Sequence, residues 1–266
     1  MDLLEPTIER VAWLEAAAAD ALAPAEDTRL DGWRFRSNHG VTRRGNSVLP
    51  EQDGGWTLAR RIGEVEAFYR RRGLEPRMQL SAAARPIGLD DQLERRGWRR
   101  EEGARVLYLS LAGGRTSELH PGGGADRGEV RIAGRPDAGF LGVQAAVQPG
   151  SEVWAPQRAQ ALRELGLVPW HLEVRGEDGR AVAAGLAVLD PDRRVVGLFS
   201  LATLPAERGR GHGRRLIEAA AARGRAAGAR GAYLQVDARN DAALRLYRRL
   251  GFSVHHAYHY RLAPER

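Results

Sequence analysis

Six residues, Arg208-Gly209-Arg210-Gly211-His212-Gly213, separate an apolar run at 195–204 from an Ala-rich run at 216–227. The first run reads as a strand and the second as a helix, so three glycines fall at a strand-to-helix turn. That placement demands a fold in which a strand feeds directly into a helix, and it builds an anion site at the junction. The first amides of a helix lack internal acceptors and lie at the positive end of its dipole, and glycine lets the backbone approach a phosphate closely. No side chain is needed to hold the anion.

The loop does not fit the phosphate loops of nucleotide-binding folds. No Lys-Ser/Thr pair follows it, as a Walker A loop requires. Its Arg-x-x-Gly-x-Gly order resembles the signature of the GNAT superfamily of acyl-CoA N-acyltransferases. Three further stretches match in register: Leu201-Ala202-Thr203-x-Pro205 before the loop, Leu234-Gln235-Val236 after it, and then Asn240-x-x-Ala243-x-x-x-Tyr247-x-x-x-Gly251-Phe252.

The resemblance implies an α/β fold with a mixed sheet, acetyl-CoA as cosubstrate, and direct acetyl transfer to an amine with no covalent enzyme intermediate. It implies that the backbone of Leu201, Ala202 and Thr203 pairs with pantetheine and the acetyl carbonyl by strand addition. Arg208, Gly209, Arg210, Gly211, His212 and Gly213 would hold the pyrophosphate, and Arg214 or Arg215 would reach the ribose phosphate. Asn240, with Ala243 on the same helix, would meet the pantetheine amides; Asn before Asp-Ala-Ala-Leu also suits a helix N-cap, and both roles are compatible.

Tyr247 is the candidate acid, because a phenol with pKa about 10 matches a thiolate leaving group better than a carboxylate does. It shares a helix face with Ala243, Leu244 and Leu250, so core packing is its alternative. The base stays open. His171 and Glu173 lie on one face of the expected strand 168–175, and Asp237 ends the strand before Asn240; each could take a proton directly or through water. Alternation along a terminal strand should split His255, His256 and His259 between two faces, so no metal site is expected.

A net charge of +7 invites a nucleic-acid reading. All 41 basic residues are arginine, however, and acids are interspersed with them, as in Asp90-Asp91-Gln92-Leu93-Glu94-Arg95-Arg96. Such mixing marks solvated faces rather than a polyanion footprint. The chain has no cysteine, which removes disulfides, thiolate metal sites and a cysteine nucleophile. The longest apolar-and-Gly run, 181–189, is far short of a membrane span, and the first residues are acidic rather than basic. The expectation is a cytoplasmic monomer or homodimer with a small-molecule amine as acceptor and no nucleic-acid or membrane partner; the alternatives are a protein N-terminus or lysine as acceptor, or a non-catalytic acyl-CoA-binding regulatory module.

Two related halves are expected. From 129 to 266 a full GNAT order can be read: strand 129–133, helices 136–148 and 156–165, strands 168–175, 181–189 and 195–203, helix 211–228, strand 230–238, helix 241–250 and strand 252–261. A Gly-rich stretch at 112–128 reads as a linker. Residues 1–111 carry helices at 3–22, 57–72 and 88–97 and strands at 31–36, 41–49, 76–82 and 104–111. Gln92-Leu93-Glu94-Arg95-Arg96-Gly97-Trp98 lines up with Leu246-Tyr247-Arg248-Arg249-Leu250-Gly251-Phe252, which suggests a tandem GNAT whose N-terminal repeat is degenerate. Leu93 replaces the tyrosine, and the first half has no Arg-x-x-Gly-x-Gly loop and no matching Asn. It is expected to pack beside the second half and help shape the acceptor cleft; Arg44, Asn46 and Ser47 read first as an edge strand and its loop, with acceptor contact as the alternative.

Overall fold

A computed structural model describes residues 5–112, 130–150 and 152–265. The first half runs α1 (Ile8–Leu22), β1 (Glu26–Leu30), β2 (Trp33–Ser37), β3 (Leu49–Pro50), α2 (Leu58–Arg70), β4 (Arg77–Leu80), α3 (Leu89–Arg95) and β5 (Arg99–Ser110). The second runs β6 (Arg131–Ala133), α4 (Ala138–Val147), α5 (Ala155–Glu164), β7 (Val168–Arg175), β8 (Ala181–Asp190), β9 (Val195–Thr203), α6 (His212–Ala226), β10 (Gly231–Asp237), α7 (Asp241–Arg249) and β11 (Ser253–Leu262). A small sheet, β1-β2-β3, joins β4 through a bridge between Val48 and Met78.

The main sheet has eight strands in the order β4-β11-β5-β10-β9-β8-β7-β6. Only β9 and β10 pair in parallel; every other neighbouring pair is antiparallel. In its middle the strands alternate between the halves. β11 inserts between β4 and β5, and β5 inserts between β11 and β10. The halves therefore share backbone hydrogen bonds instead of merely packing side by side. The expected linker at 112–128 lies, apart from residue 112, outside the described residues.

The repeat is visible in the turns that launch the two exchanged strands. After α3, Trp98 N donates to Leu93 O at 3.0 Å, with Gly97 at φ +78°; after α7, Phe252 N donates to Tyr247 O at 3.0 Å, with Gly251 at φ +85°. The same helix stop thus feeds β5 and β11, and glycine supplies the left-handed residue that such a stop requires. Leu93, the counterpart of Tyr247, is fully buried in the core of the first half.

Three apolar clusters hold these layers together. One fills the sheet face under α6 and α7, with Leu216, Ile217 and Leu244 against Leu198 and Leu234. The opposite face packs under α1, α4 and α5 around Leu14, Phe140, Leu162 and Tyr233. The third lies under α2 and α3, around Trp33, Tyr69 and Met78. Full burial of one such aliphatic side chain contributes about 1.5–3 kcal/mol, so the clusters rather than helix propensity hold the architecture.

Some elements depart from expectation. The segment expected as a strand at 41–49 is a 3-10 turn at Arg44–Asn46 followed by the short β3. Side chains satisfy its backbone locally: Asn46 Oδ1 accepts from Asn38 N and Gly40 N at 2.8 and 3.0 Å, and Thr42 Oγ1 accepts from Gly45 N at 3.0 Å. The solvent-facing β1 carried no apolar alternation to mark it. On β11 a register shift between Val254 and His256 breaks the alternation, so His255 and His256 are both buried, with Nδ1 atoms 2.7 Å apart and His256 Nε2 2.7 Å from Glu15 Oε1. His259 instead pairs with Asp90 at 2.9 Å.

The β5–β11 seam gives a direct test. A Cβ added at Gly103 on β5 would stand 2.0 Å from the backbone oxygen of Tyr258 on β11. Gly103→Ala is expected to destabilise the whole protein by about 1–3 kcal/mol. Thermal unfolding should show it as a single lowered transition, because both halves depend on the seam.

Candidate active site

β9 and β10 run in parallel register for only four residues, from Gly231 opposite Val195 to Leu234 opposite Leu198, and then part. Beyond Leu198 the edge of β9 that faces β10 has no strand partner, which is the condition for pairing with an extended ligand. A bulge sharpens the divergence. The β8–β9 register shifts between Ala184 and Leu186, where Ser200 adopts φ +50°. Gln144, buried on α4, donates from Nε2 to Ser200 O at 2.7 Å and pins the bulge. Leu201, Ala202 and Thr203 continue β9 past this point, with Ala202 buried and the other two partly exposed. A cavity of about 500 Å³ occupies the gap, with Leu201, Gln235, Asp237, Asn240 and Tyr247 in its walls.

The expected anion loop lies at the N-terminus of α6. Gly209 and Gly211 have φ of +79° and +82°, and the space where a side chain would project is open at both. Gly211 is the N-cap residue, no side chain caps the helix, and its first turn has no acid. The amides are thus left for an anion. Glu207 pairs with Arg210 at 3.1 Å and lies 3.5 Å from His212 Nε2, while Arg208 Nε reaches Thr203 O at 3.4 Å. Gly213 faces Leu246, which seats the helix start against α7. Arg214 pairs with Glu218 at 2.7 Å.

On α7, Asn240 is the N-cap, its Oδ1 accepting from Ala243 N at 3.1 Å, and it also borders the cavity. Tyr247 borders the cavity and also packs in the core. Its ring packs on the apolar cluster and lies 6.1 Å from that of Phe252, while its hydroxyl makes no hydrogen bond among the described residues. Burial pushes its pKa up to about 12. The phenol is therefore fully protonated at neutral pH and free to donate.

The two carboxylates named from sequence are not brought together. Asp237 borders the cavity, receiving hydrogen bonds from Arg239 Nε and Arg43 Nη2, each at 3.2 Å; the contact with Arg239 holds its pKa below the ordinary carboxylate value. Glu173 sits elsewhere. It is buried near the far edge of the sheet, between Arg131 at 3.2 Å and Arg175 at 3.0 Å, and does not border the cavity. His171, on the same strand face, lines an adjoining cavity of about 340 Å³, and burial pushes its pKa down to about 4, leaving it neutral.

The first half closes the cleft. Thr42, Arg43 and Arg44 reach into it from the turn after β2, while Asn46 and Ser47 are buried and hold that turn's shape. Sequence reasoning missed Gln144, Gln235 and Arg158. Gln235 was noted as part of a strand pattern, yet both its amide atoms are buried without a partner where β9 and β10 separate. Arg158 looked like one more surface arginine on an amphipathic helix. Among the described residues, no group of three or more His, Asp or Glu could hold a metal ion.

A parallel pair that opens at a bulge, a helix with uncapped amides behind it and a partly buried tyrosine between them define a GNAT-class N-acyltransferase, and the comparisons agree. The chain belongs to the family described as "Probable histone acetyltransferase Rv0428c C-terminal", whose pattern matches residues 9–261. It is 29% identical over 253 residues to the probable histone acetyltransferase Rv0428c of Mycobacterium tuberculosis, covering 94% of this chain and 72% of that protein. In fold it is similar to a GCN5-related N-acetyltransferase from Kribbella flavida, with a TM-score of 0.66 at 16% identity over 96% of each chain. A tandem GNAT protein from the clavulanic acid biosynthesis pathway aligns with a TM-score of 0.63 at 14% identity, over 98% of this chain and 96% of that one.

The ionisation of Tyr247 can be followed directly. With its pKa at about 12, Tyr247→Phe should leave the ultraviolet tyrosinate titration unchanged up to about pH 10, the range where ordinary phenols begin to ionise. A difference between the two proteins near pH 9 would show that Tyr247 is not desolvated.

Proposed function

We propose that this enzyme transfers an acetyl group from acetyl-CoA directly to a primary amine of a small molecule. The observation that supports the reading is the gap between β9 and β10, whose cavity is bordered by Leu201 of the unpaired strand edge and by Tyr247, with the uncapped N-terminus of α6 following β9 in the chain. Acetyl-CoA fits the groups that lack partners. Its pyrophosphate suits the amides around Gly209, Gly211 and Gly213 with Arg208 and Arg210 beside them. Its pantetheine amides suit the free edge of β9 along Leu201, Ala202 and Thr203, the orphaned amide of Gln235, and Asn240.

The acetyl group then lies near the bulge at Ser200, where β9 amides can stabilise the developing oxyanion. The amine nitrogen bonds to the carbonyl carbon, the carbon–sulfur bond breaks, and the departing thiolate takes the Tyr247 proton. Of the carboxylates named from sequence, Asp237 suits the proton from the amine better than Glu173, because Glu173 is locked between two arginines outside the cleft. The low pKa of Asp237 makes it a relay to solvent water rather than a proton store. Cavities of about 340 and 500 Å³ match a small-molecule acceptor. The name of the Mycobacterium tuberculosis relative supports a protein acceptor instead, and a pooled-amine assay alongside a histone-peptide assay, each following thiol release, separates the two.

Two substitutions test the machinery. Gly211→Asp places a carboxylate at the start of α6 and is expected to weaken coenzyme A at least tenfold in calorimetry while the protein stays folded; an unchanged dissociation constant would show that the loop is not the cradle. Tyr247→Phe keeps the ring and removes the hydroxyl. Loss of general acid catalysis typically costs about 10² to 10⁴ in rate, so the single-turnover rate should fall that far with cofactor affinity nearly unchanged. A wild-type single-turnover rate would return Tyr247 to a packing role.

A further inference from the structure

Resting on that reading of the cleft as the acceptor site, we propose that the acceptor is an amine carrying a carboxylate, which Arg44 and Arg158 bind together. The two guanidinium groups come from opposite halves, Arg44 from the turn at Arg44–Asn46 and Arg158 from α5, and both line the same cavity. Neither has a carboxylate within ion-pair distance among the described residues. Arg43, one position away, pairs with both Glu101 at 2.6 Å and Asp237 at 3.2 Å. Arg44 makes one side-chain hydrogen bond, from Nε to Tyr258 Oη at 3.1 Å. Arg158 makes one, from Nη2 to Ala21 O at 2.9 Å, and leans on the Phe199 ring at 5.0 Å, while its buried Nε has no partner.

Two unneutralised cations that feel one another in a partly desolvated cleft are costly unless an anion completes them. Burial and then the charge of Arg44 push the pKa of Arg158 down to about 10, still cationic at neutral pH, while for Arg44 burial is outweighed by Tyr258, Tyr260 and Glu15, which raise its pKa. The cavity wall carries three arginines against one aspartate, and that aspartate is already paired. The adjoining cavity adds the neutral His171 and no acid. A planar carboxylate offers the two acceptors that guanidinium forks bind best. The same cleft presents Tyr247 and the unpaired edge of β9, so one compact molecule can place its carboxylate at the arginines and its amine at the acetyl group. A lysine-rich peptide would bring cations to this wall and be repelled.

The experiment compares amino acids with their own amides, and with aminoalkyl phosphates and simple alkylamines, as acceptors for the full-length protein with acetyl-CoA. The best amino acid should exceed its amide in kcat/KM by about 10- to 100-fold, the range expected for a charge-assisted pair. In Arg158→Gln and Arg44→Gln that ratio should fall toward one, with coenzyme A affinity unchanged in calorimetry; Arg158→Lys should restore part of it. Arg158→Glu should shift preference toward amides and diamines. An acid-to-amide ratio near one in the wild type, or a ratio that survives both Gln variants, overturns the proposal while leaving acetyl transfer intact. Phosphates outperforming every carboxylate would also overturn it. If no amine in the panel is acetylated, the transfer reading fails, and calorimetric titration of the amino acids and N-acetylamino acids into the coenzyme A complex still decides the anion site: binding lost in Arg158→Gln supports it, and no binding refutes it.

Discussion

The pairing of β5 with β11 is the constraint on which everything else rests. Each strand closes the sheet of the other half, so neither half can bury its apolar faces alone. The arrangement follows from an internal repeat in which the same helix stop, Gly97-Trp98 and Gly251-Phe252, launches both strands toward a common axis. Its functional effect is positional. By tying β5 to β10 and β11, it holds the turn carrying Arg43 and Arg44 over the cleft opened by β9 and β10. The first half is thereby kept as one wall of that cavity.

Part of the cleft is made of polar groups that find no partner among the described residues. Amides normally find partners, yet the free edge of β9, the solvent-facing first turn of α6 and the buried side-chain amide of Gln235 do not find them among the described residues. On the proposed function, each would take a different portion of one elongated ligand. Gln144 keeps the opening in place by holding Ser200 in its left-handed conformation, against the tendency of a strand to continue straight. The apolar clusters on either face of the sheet supply the stability that such gaps cost.

Much of this was legible in the sequence. The glycine loop, the strand before it and the Asn240–Tyr247 helix were placed to within a residue or two, because hydrophobic period and turn chemistry are local properties. The strand exchange was not legible: alternation tells which face a strand buries and says nothing about which strand it lies beside. Period also failed at His255, where a bulge put two consecutive rings on one side, and at 41–49, where Asn46 and Thr42 traded a strand for a turn. Glu173 and Asp237 looked alike as strand acids; only the tertiary fold surrounds the first with arginines and turns the second toward the cleft. Arg158 offered no signal at all among 41 arginines.

The interleaved strands also dictate an order of events as the chain is made. Tyr108 on β5 meets Ser253 on β11, a residue 145 positions further along the chain. A ribosome therefore releases β5 long before either of its neighbours exists, and contacts of such sequence separation form late. Through that interval β5 is a long strand with two open edges, the kind of element that seeks out strands of other molecules. It begins Arg99-Arg100-Glu101-Glu102. A stretch of four charges at one end of the strand opposes premature pairing, and once the last strand arrives Glu101 is redeployed to hold Arg43 at the cleft.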